Sequence, residues 1–274
     1  VAVMAMRSSM WLEYQVEANW TSPVIFVLYN TLKPVGGSLL LLAMYYVVTG
    51  GFLGGEGLYF LYIGNAFYML VAQTLFNVGW IIHDDREHYQ TMKYIYISPL
   101  SYFRYLMGRS AMRFLLSLLP LSVLIFLGVF LKVPYHIEVL LLMGTFFLGW
   151  VFVISSGLLL SGINMLTARH GNSVGQAFSG IFYLFSGVVF PINVLPGWAS
   201  TVALRLPSTY WFSLVRRSVL GKEVDSIMSE FTTGEVAVRL VIISIIFFVI
   251  SYLIFRLADY LARKKGIIDM TTTY

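Results

Sequence analysis

Cysteine is absent from the 274-residue chain, which excludes disulfides, cysteine-liganded zinc, iron–sulfur clusters and thiol catalysis. Charge is scarce too. Asp, Glu, Lys and Arg make up 11% of the residues and hydrophobic types 58%, whereas a soluble domain carries about 25% charged residues. With a mean hydropathy of +0.79, there is too little polar surface to cover a water-facing particle, and too much apolar surface for a disordered chain. The composition therefore predicts an all-α polytopic membrane protein, a single transmembrane domain over residues 1–274. Basic residues exceed acidic ones, 18 to 13, but no basic patch with interleaved aromatics lies in a polar stretch. That excess reads as membrane topology and lipid contact, not as nucleic-acid binding. No signal-peptide pattern, internal repeat or inverted repeat is visible, and Val1 is read as following a trimmed initiator or short leader.

What is present is a series of apolar runs near the ~20 residues that cross about 30 Å of hydrocarbon. Six are read as spans: 24–48, 58–80, 105–131, 137–161, 174–190 and 236–258. The first contains Lys33-Pro34, where a kink is expected. The fifth has only 17 residues and runs into Pro191, so a re-entrant continuation is expected. Residues 3–18 read as a half-amphipathic interfacial helix, with Met6, Met10, Trp11, Tyr14 and Ala18 on one arc interrupted by Arg7 and Glu17.

Orientation follows from the loop bases. One side holds Arg7, Arg86, Lys93, Arg104, Arg109, Arg113, Arg169, Arg256, Arg263, Lys264 and Lys265; the other holds Lys132, Arg205, Arg216, Arg217, Lys222 and Arg239. The bias places both termini and the 81–104 loop in the cytoplasm of a multi-pass protein of the cell membrane. Glu138 and Arg239 are expected as anchors at the outer interface.

The densest polar cluster is His83-Asp84-Asp85-Arg86-Glu87-His88. It is not the H-E-x-x-H spacing of zinc peptidases, and no metal is assigned to it. The acids are instead expected at a helix start, where unpaired amides and the dipole favour negative charge. That helix is expected over 84–97, stopped by Ser98-Pro99, with Ser98 as N-cap and Pro99 as first residue of the next helix. Its length exceeds the 2–8 residues or so of an ordinary helix connection, and it is built like a handle for a partner. A second unusual segment, 191–220, contains Pro191, Pro196, Gly197, Trp198 and Pro207. Too apolar for a solvated loop and too broken by proline to span, it is expected as short helices dipping into the outer leaflet and gating an exit.

Asp85-Arg86-Glu87 through Thr91-Met92-Lys93-Tyr94-Ile95-Tyr96-Ile97-Ser98-Pro99, followed by Gly108-Arg109, resembles the cytoplasmic loop of type-2 ABC transporter permeases. The hairpin elements Phe190-Pro191, Leu195-Pro196-Gly197-Trp198 and Leu206-Pro207 are similar to that family's segment before the last span. Gln90 departs from the pattern, which usually has glycine there, and so does Lys93, at a position often acidic. The resemblance implies a permease subunit of an ATP-driven exporter, paired with a second permease and with separate ATPase subunits. The chain carries no P-loop: Gly221-Lys222 is followed by Glu223 and lacks the upstream glycine. ATP and magnesium would then be bound by the partner, with no cofactor and no catalytic residue here. The 84–97 segment would be the coupling helix, docking through Asp84, Asp85, Arg86, Glu87, His88, Thr91, Met92 and Tyr94.

Polar residues within spans are the candidate lining of a substrate path: Asn30, Asn65, Gln73, Thr74, Asn77, Gln176, Ser179 and Ser186. The competing account for each is hydrogen bonding between helices. A path of apolar, aromatic and amide side chains points to an amphiphile or hydrophobic molecule (a lipid, glycolipid or polysaccharide, or drug). The rival readings are an ion-gradient-driven secondary transporter, which calls for mid-membrane acidic or histidine relays, and a membrane-embedded lipid-modifying enzyme, which calls for paired catalytic groups at one depth.

Overall fold

The computed structural model describes residues 2–19, 21–167 and 171–268; Val1 and Arg169, used in the reading above, lie outside the described residues. Within them every regular element is a helix, with no strand. Helix α1 (Ala2–Ala18) is followed by α2 (Pro23–Val48) and α3 (Glu56–His83), which a π-helical turn (Asp84–His88) prolongs. Then come α4 (Met92–Ile97), α5 (Tyr102–Phe130), α6 (Val139–Leu166) and α7 (Gly171–Phe185). A 3₁₀ turn (Ile192–Val194), α8 (Gly197–Ala203), α9 (Pro207–Leu220) and α10 (Ser226–Ser229) lead into α11 (Thr233–Lys265).

Local chemistry sets the helix starts. The Ser22 hydroxyl accepts from the Ile25 amide at 3.5 Å with Pro23 in the first turn of α2, and Thr232 and Glu235 close a reciprocal capping box on α11. Among the described residues five helices are long and apolar enough to cross a membrane: α2, α3 with its π turn, α5, α6 and α11. Helix α3 is the axis of the bundle and packs on α2, α5, α6, α7 and α9. Leu58, Ile63, Ala66, Val71, Leu75, Val78, Ile81 and Ile82 along it are fully covered.

The expected fifth span falls short of 174–190. Helix α7 ends at Phe185, because Gly187 turns the chain through a left-handed φ of 68°. Fifteen residues reach only about 22 Å, and the rest of that crossing is filled by the hairpin. Helix α2 runs unbroken through Pro34. Helix α1 occupies the residues expected of the interfacial helix, with Trp11 exposed.

Two ends of the bundle result. The loop end gathers α1, the π turn, α4 and the end of α11: α1 lies against Gly108 of α5, and Asp259 of α11 accepts from Tyr96 of α4. Both described chain ends therefore lie on the same side. The opposite, hairpin end holds α8–α10 and the starts of α3, α6 and α11.

Candidate functional site

Helix α3 does not stop at His83. The Tyr89 amide donates to the Asp84 carbonyl at 2.8 Å, the i→i+5 bond of a π turn, and Gln90 then breaks the chain with φ 51°. The helix expected over 84–97 is thus two pieces, the π turn and α4. Asp84 and Asp85 sit at a C-terminal end, where the dipole opposes negative charge. Arginines outweigh the dipole there.

Those arginines come from α5, and the acids that share them from α1. Arg109 Nε donates to Glu13, and its Nη1 donates to Asp85 Oδ1 and, at 2.9 Å, to the Tyr105 hydroxyl. Asp85 also accepts from Tyr102 at 3.1 Å, Tyr105 at 3.1 Å and Thr91 at 3.3 Å. Arg113 pairs with Glu13, with Glu17 at 2.9 Å and with Asp84 at 3.4 Å. Glu13, Asp85, Arg109 and Arg113 are buried, while Glu17 and Asp84 form a partly exposed rim. Helix α1 comes this close because α5 presents Gly108: a Cβ there would meet the Met6 carbonyl at 2.6 Å. Losing one partner of such a buried pair costs about 3–5 kcal/mol, because a bare charge stays behind.

The second piece is fastened separately. Met92 is buried, and the Tyr96 hydroxyl donates to Asp259 Oδ1 at 2.5 Å. Tyr96 stacks on Tyr102 (5.3 Å, 11°) and carries the Arg263 guanidinium over its ring at 4.7 Å. Burial, reinforced by the bond to Asp259, pushes the Tyr96 phenol well above its ordinary pKa and keeps it protonated. Ser98 does not open α5. Its hydroxyl donates to the Ile95 carbonyl at 2.7 Å and accepts from the Leu100 amide at 3.2 Å, closing α4, and Ser101 is the N-cap of α5.

Of the eight expected docking residues, Asp85, Arg86, Glu87 and Met92 are buried and Asp84 and Thr91 half-buried. His88 and Tyr94 are exposed, and with them Tyr89, Gln90, Lys93 and Ile97 form the outward face. Arg86 reaches the Met165 carbonyl of α6 at 3.4 Å and lies 3.7 Å from Glu87. Among the described residues no group of acids and histidines is arranged to hold a metal.

The expected path residues fall mostly into bonds between helices. Asn65 donates to Ser38 at 2.7 Å, Gln73 to Asn30 at 3.1 Å and Thr74 to Ser117 at 2.9 Å. Tyr68 and Ser179 lie 2.7 Å apart, as do Ser186 and Ser208 at 2.5 Å. Gln176 is exposed on α7, and Asn77 is half-buried on α3. In the hairpin, Pro191 opens the 3₁₀ turn, Pro196 and Gly197 start α8, and exposed Trp198 meets Phe185 at 5.9 Å. Pro207 starts α9, which is almost wholly buried.

The residue missed in that hairpin is Arg216. Its Nη2 donates to the carbonyls of Gly187 at 2.5 Å and Val188 at 3.2 Å, and its guanidinium lies 3.5 Å over the Phe60 ring. Glu13 was missed as well. Its signal was legible: acids at 13 and 17 match arginines at 109 and 113, each pair spaced i,i+4 on a helix.

A multi-pass helical membrane protein, with a charged loop locked beneath its central helix and a buried hairpin at the other end, is the class these features define. Residues 34–257 match the sequence model of the ABC-2 family transporter proteins, and the chain belongs to that family: it is the permease, or membrane component, of an ABC transporter. No curated protein matches the sequence.

Proposed function

We propose that this chain is the permease subunit of an ATP-driven exporter of an amphiphilic or hydrophobic molecule, working beside a second permease and docked on separate ATPase subunits that bind ATP and magnesium. The loop end then faces the cytoplasm of a cell membrane, and both termini with it. One observation carries this reading. The loop between α3 and α5 is tied by buried charge to α1 and α5 and by Tyr96 to α11, so a push on α4 moves several helices together. Packed elements joined in this way transmit rigid-body displacements instead of absorbing them.

In this reading the docking contacts come from the outward face of His88, Tyr89, Lys93, Tyr94 and Ile97. The buried acids of 84–87 position that face. The test is reconstitution of the permease with its ATPase subunit, comparing Tyr94→Glu with Lys93→Glu. Both variants should keep the permease folded, and loss of complex formation with the ATPase is the expected result. Full complex formation and transport in both would overturn the docking assignment.

A further inference from the structure

Lysine 33 is out of place for a topology anchor. It is the eleventh residue of α2, about 15 Å along the helix axis, and a helix of 26 residues overhangs ~30 Å of hydrocarbon by only a few ångströms at each end. The Asn65–Ser38 and Gln73–Asn30 bonds fix the antiparallel register of α2 and α3 and set Lys33 near Leu70. From there its amine climbs toward the loop end and lies 5.3 Å from the Phe76 ring centroid. Among the described residues no carboxylate lies within ion-pair distance of it. A cation at membrane depth normally finds a counter-charge or a wet cavity.

The surroundings of the amine are unfinished in the same sense. Gln73 Oε1 is buried without a hydrogen-bond partner. Asn77, on the same α3 face one turn on, has no hydrogen bond from its amide among the described residues, and Pro34 has no N–H to give the Asn30 carbonyl. A rail of rings leads from the cluster to the loop end: Phe76 stacks on Trp80 (6.0 Å, 12°), and Trp80 meets His83 at 4.4 Å. The site therefore offers one positive charge, amide donors, orphaned acceptors and an apolar, aromatic approach.

We propose that the α2/α3 seam, with Lys33, Asn30, Gln73 and Asn77, binds the headgroup of a membrane amphiphile that is anionic and also donates hydroxyl hydrogen bonds. A phosphate would meet Lys33 and the Asn77 amide, and hydroxyls would satisfy Gln73 Oε1. As a binding site this stands on its own; as the station of an exported cargo it rests on the exporter reading.

The test extracts the full chain from vesicles of equal phosphatidylglycerol and phosphatidylcholine and counts retained lipids by native mass spectrometry. The wild type should favour phosphatidylglycerol about fivefold, the worth of one lysine near a lipid anion. Lys33→Met should bring the ratio to unity and Lys33→Arg should keep it, while Lys264→Gln, at a surface lysine of the same end, should leave it unchanged. An equal fall in Lys33→Met and Lys264→Gln, or a ratio unaltered by Lys33→Met, overturns the site. Displacement of the lipid by inorganic phosphate would make the ligand a soluble anion and overturn the headgroup assignment. If Lys33→Met fails to fold, Asn77→Leu reads the same ratio and should lower it. The measurement uses the permease alone, so failure to couple to an ATPase would sink the exporter reading and leave this ratio standing.

Discussion

At the loop end, Arg109 and Arg113 are buried against carboxylates carried by other elements; at the hairpin end, Arg216 is buried against two backbone carbonyls and a phenyl ring. The same side chain does two different things. Charge paired with charge ties separate helices, and each tie fails expensively when one member is lost, because the other remains charged in a dry place. Charge held by carbonyls pins backbone to backbone. Its acceptors are neutral, so its loss leaves no bare ion behind. The first arrangement suits a junction that must move as a block, and the second suits a plug held in place.

The largest effect that tests this contrast is at the loop end. Arg109→Met should lower stability by about 3–5 kcal/mol, seen as a falling unfolding midpoint of the purified permease in detergent. Adding Asp85→Asn should recover part of the loss, because Arg109 is the one arginine paired with Asp85 among the described residues whereas Glu13 keeps Arg113. Absence of any recovery would mean that Arg109 acts by packing, and the contrast would collapse. A smaller effect is expected at the hairpin end, where Arg216→Met removes charge-assisted bonds worth about 1.5–3 kcal/mol each before the cost of burying the charge is subtracted. Here Glu223→Gln, at an acid that pairs with Arg217 and makes no ion pair with Arg216, should restore nothing. Recovery by that second change would show that Arg216 is ion-paired in solution and that both ends follow one rule.

How much of this was legible in the sequence follows from the range of the forces involved. The long spans were readable because an apolar run of sufficient length has one solution in lipid, and α1 was readable as a helix, though the face it buries is Ala5, Ser9 and Glu13 and not the expected arc. The 84–97 loop was visible as a unit and misread in detail. Asp84-Asp85 fits a helix start by local rules and sits instead at a helix end, because its true partners, Arg109 and Arg113, arrive from a different helix. Ser98-Pro99 fits both an N-cap and a stop, and only the Ile95 carbonyl decides between them. Helix α9 was the least legible: Arg216, Arg217 and five hydroxyl residues give it a surface composition, yet it is buried because Trp211 bonds the Thr145 carbonyl at 2.8 Å and Arg216 bonds carbonyls nearly 30 positions away. No window of the sequence contains both ends of those bonds.

The smallest expected effect lies between the two pieces of the loop, at Gln90. Its φ of 51° is a left-handed conformation that costs an L-residue roughly 1–2 kcal/mol and that glycine enters without strain. Gln90→Gly should remove this strain and give back about 0.5 kcal/mol or more to chain entropy in the unfolded state. The net stability change is then small, and the useful readout is local. If the break at Gln90 is imposed by the ion pairs on one side and the Tyr96–Asp259 bond on the other, relieving it should slow amide exchange across α4 while leaving α9 unchanged. Gln90→Val, which adds a β-branched side chain where φ is positive, should speed exchange in α4 and spare the hairpin. Equal exchange of α4 in all three proteins would mean that the turn carries no strain, and that the loop end is held by its charges alone.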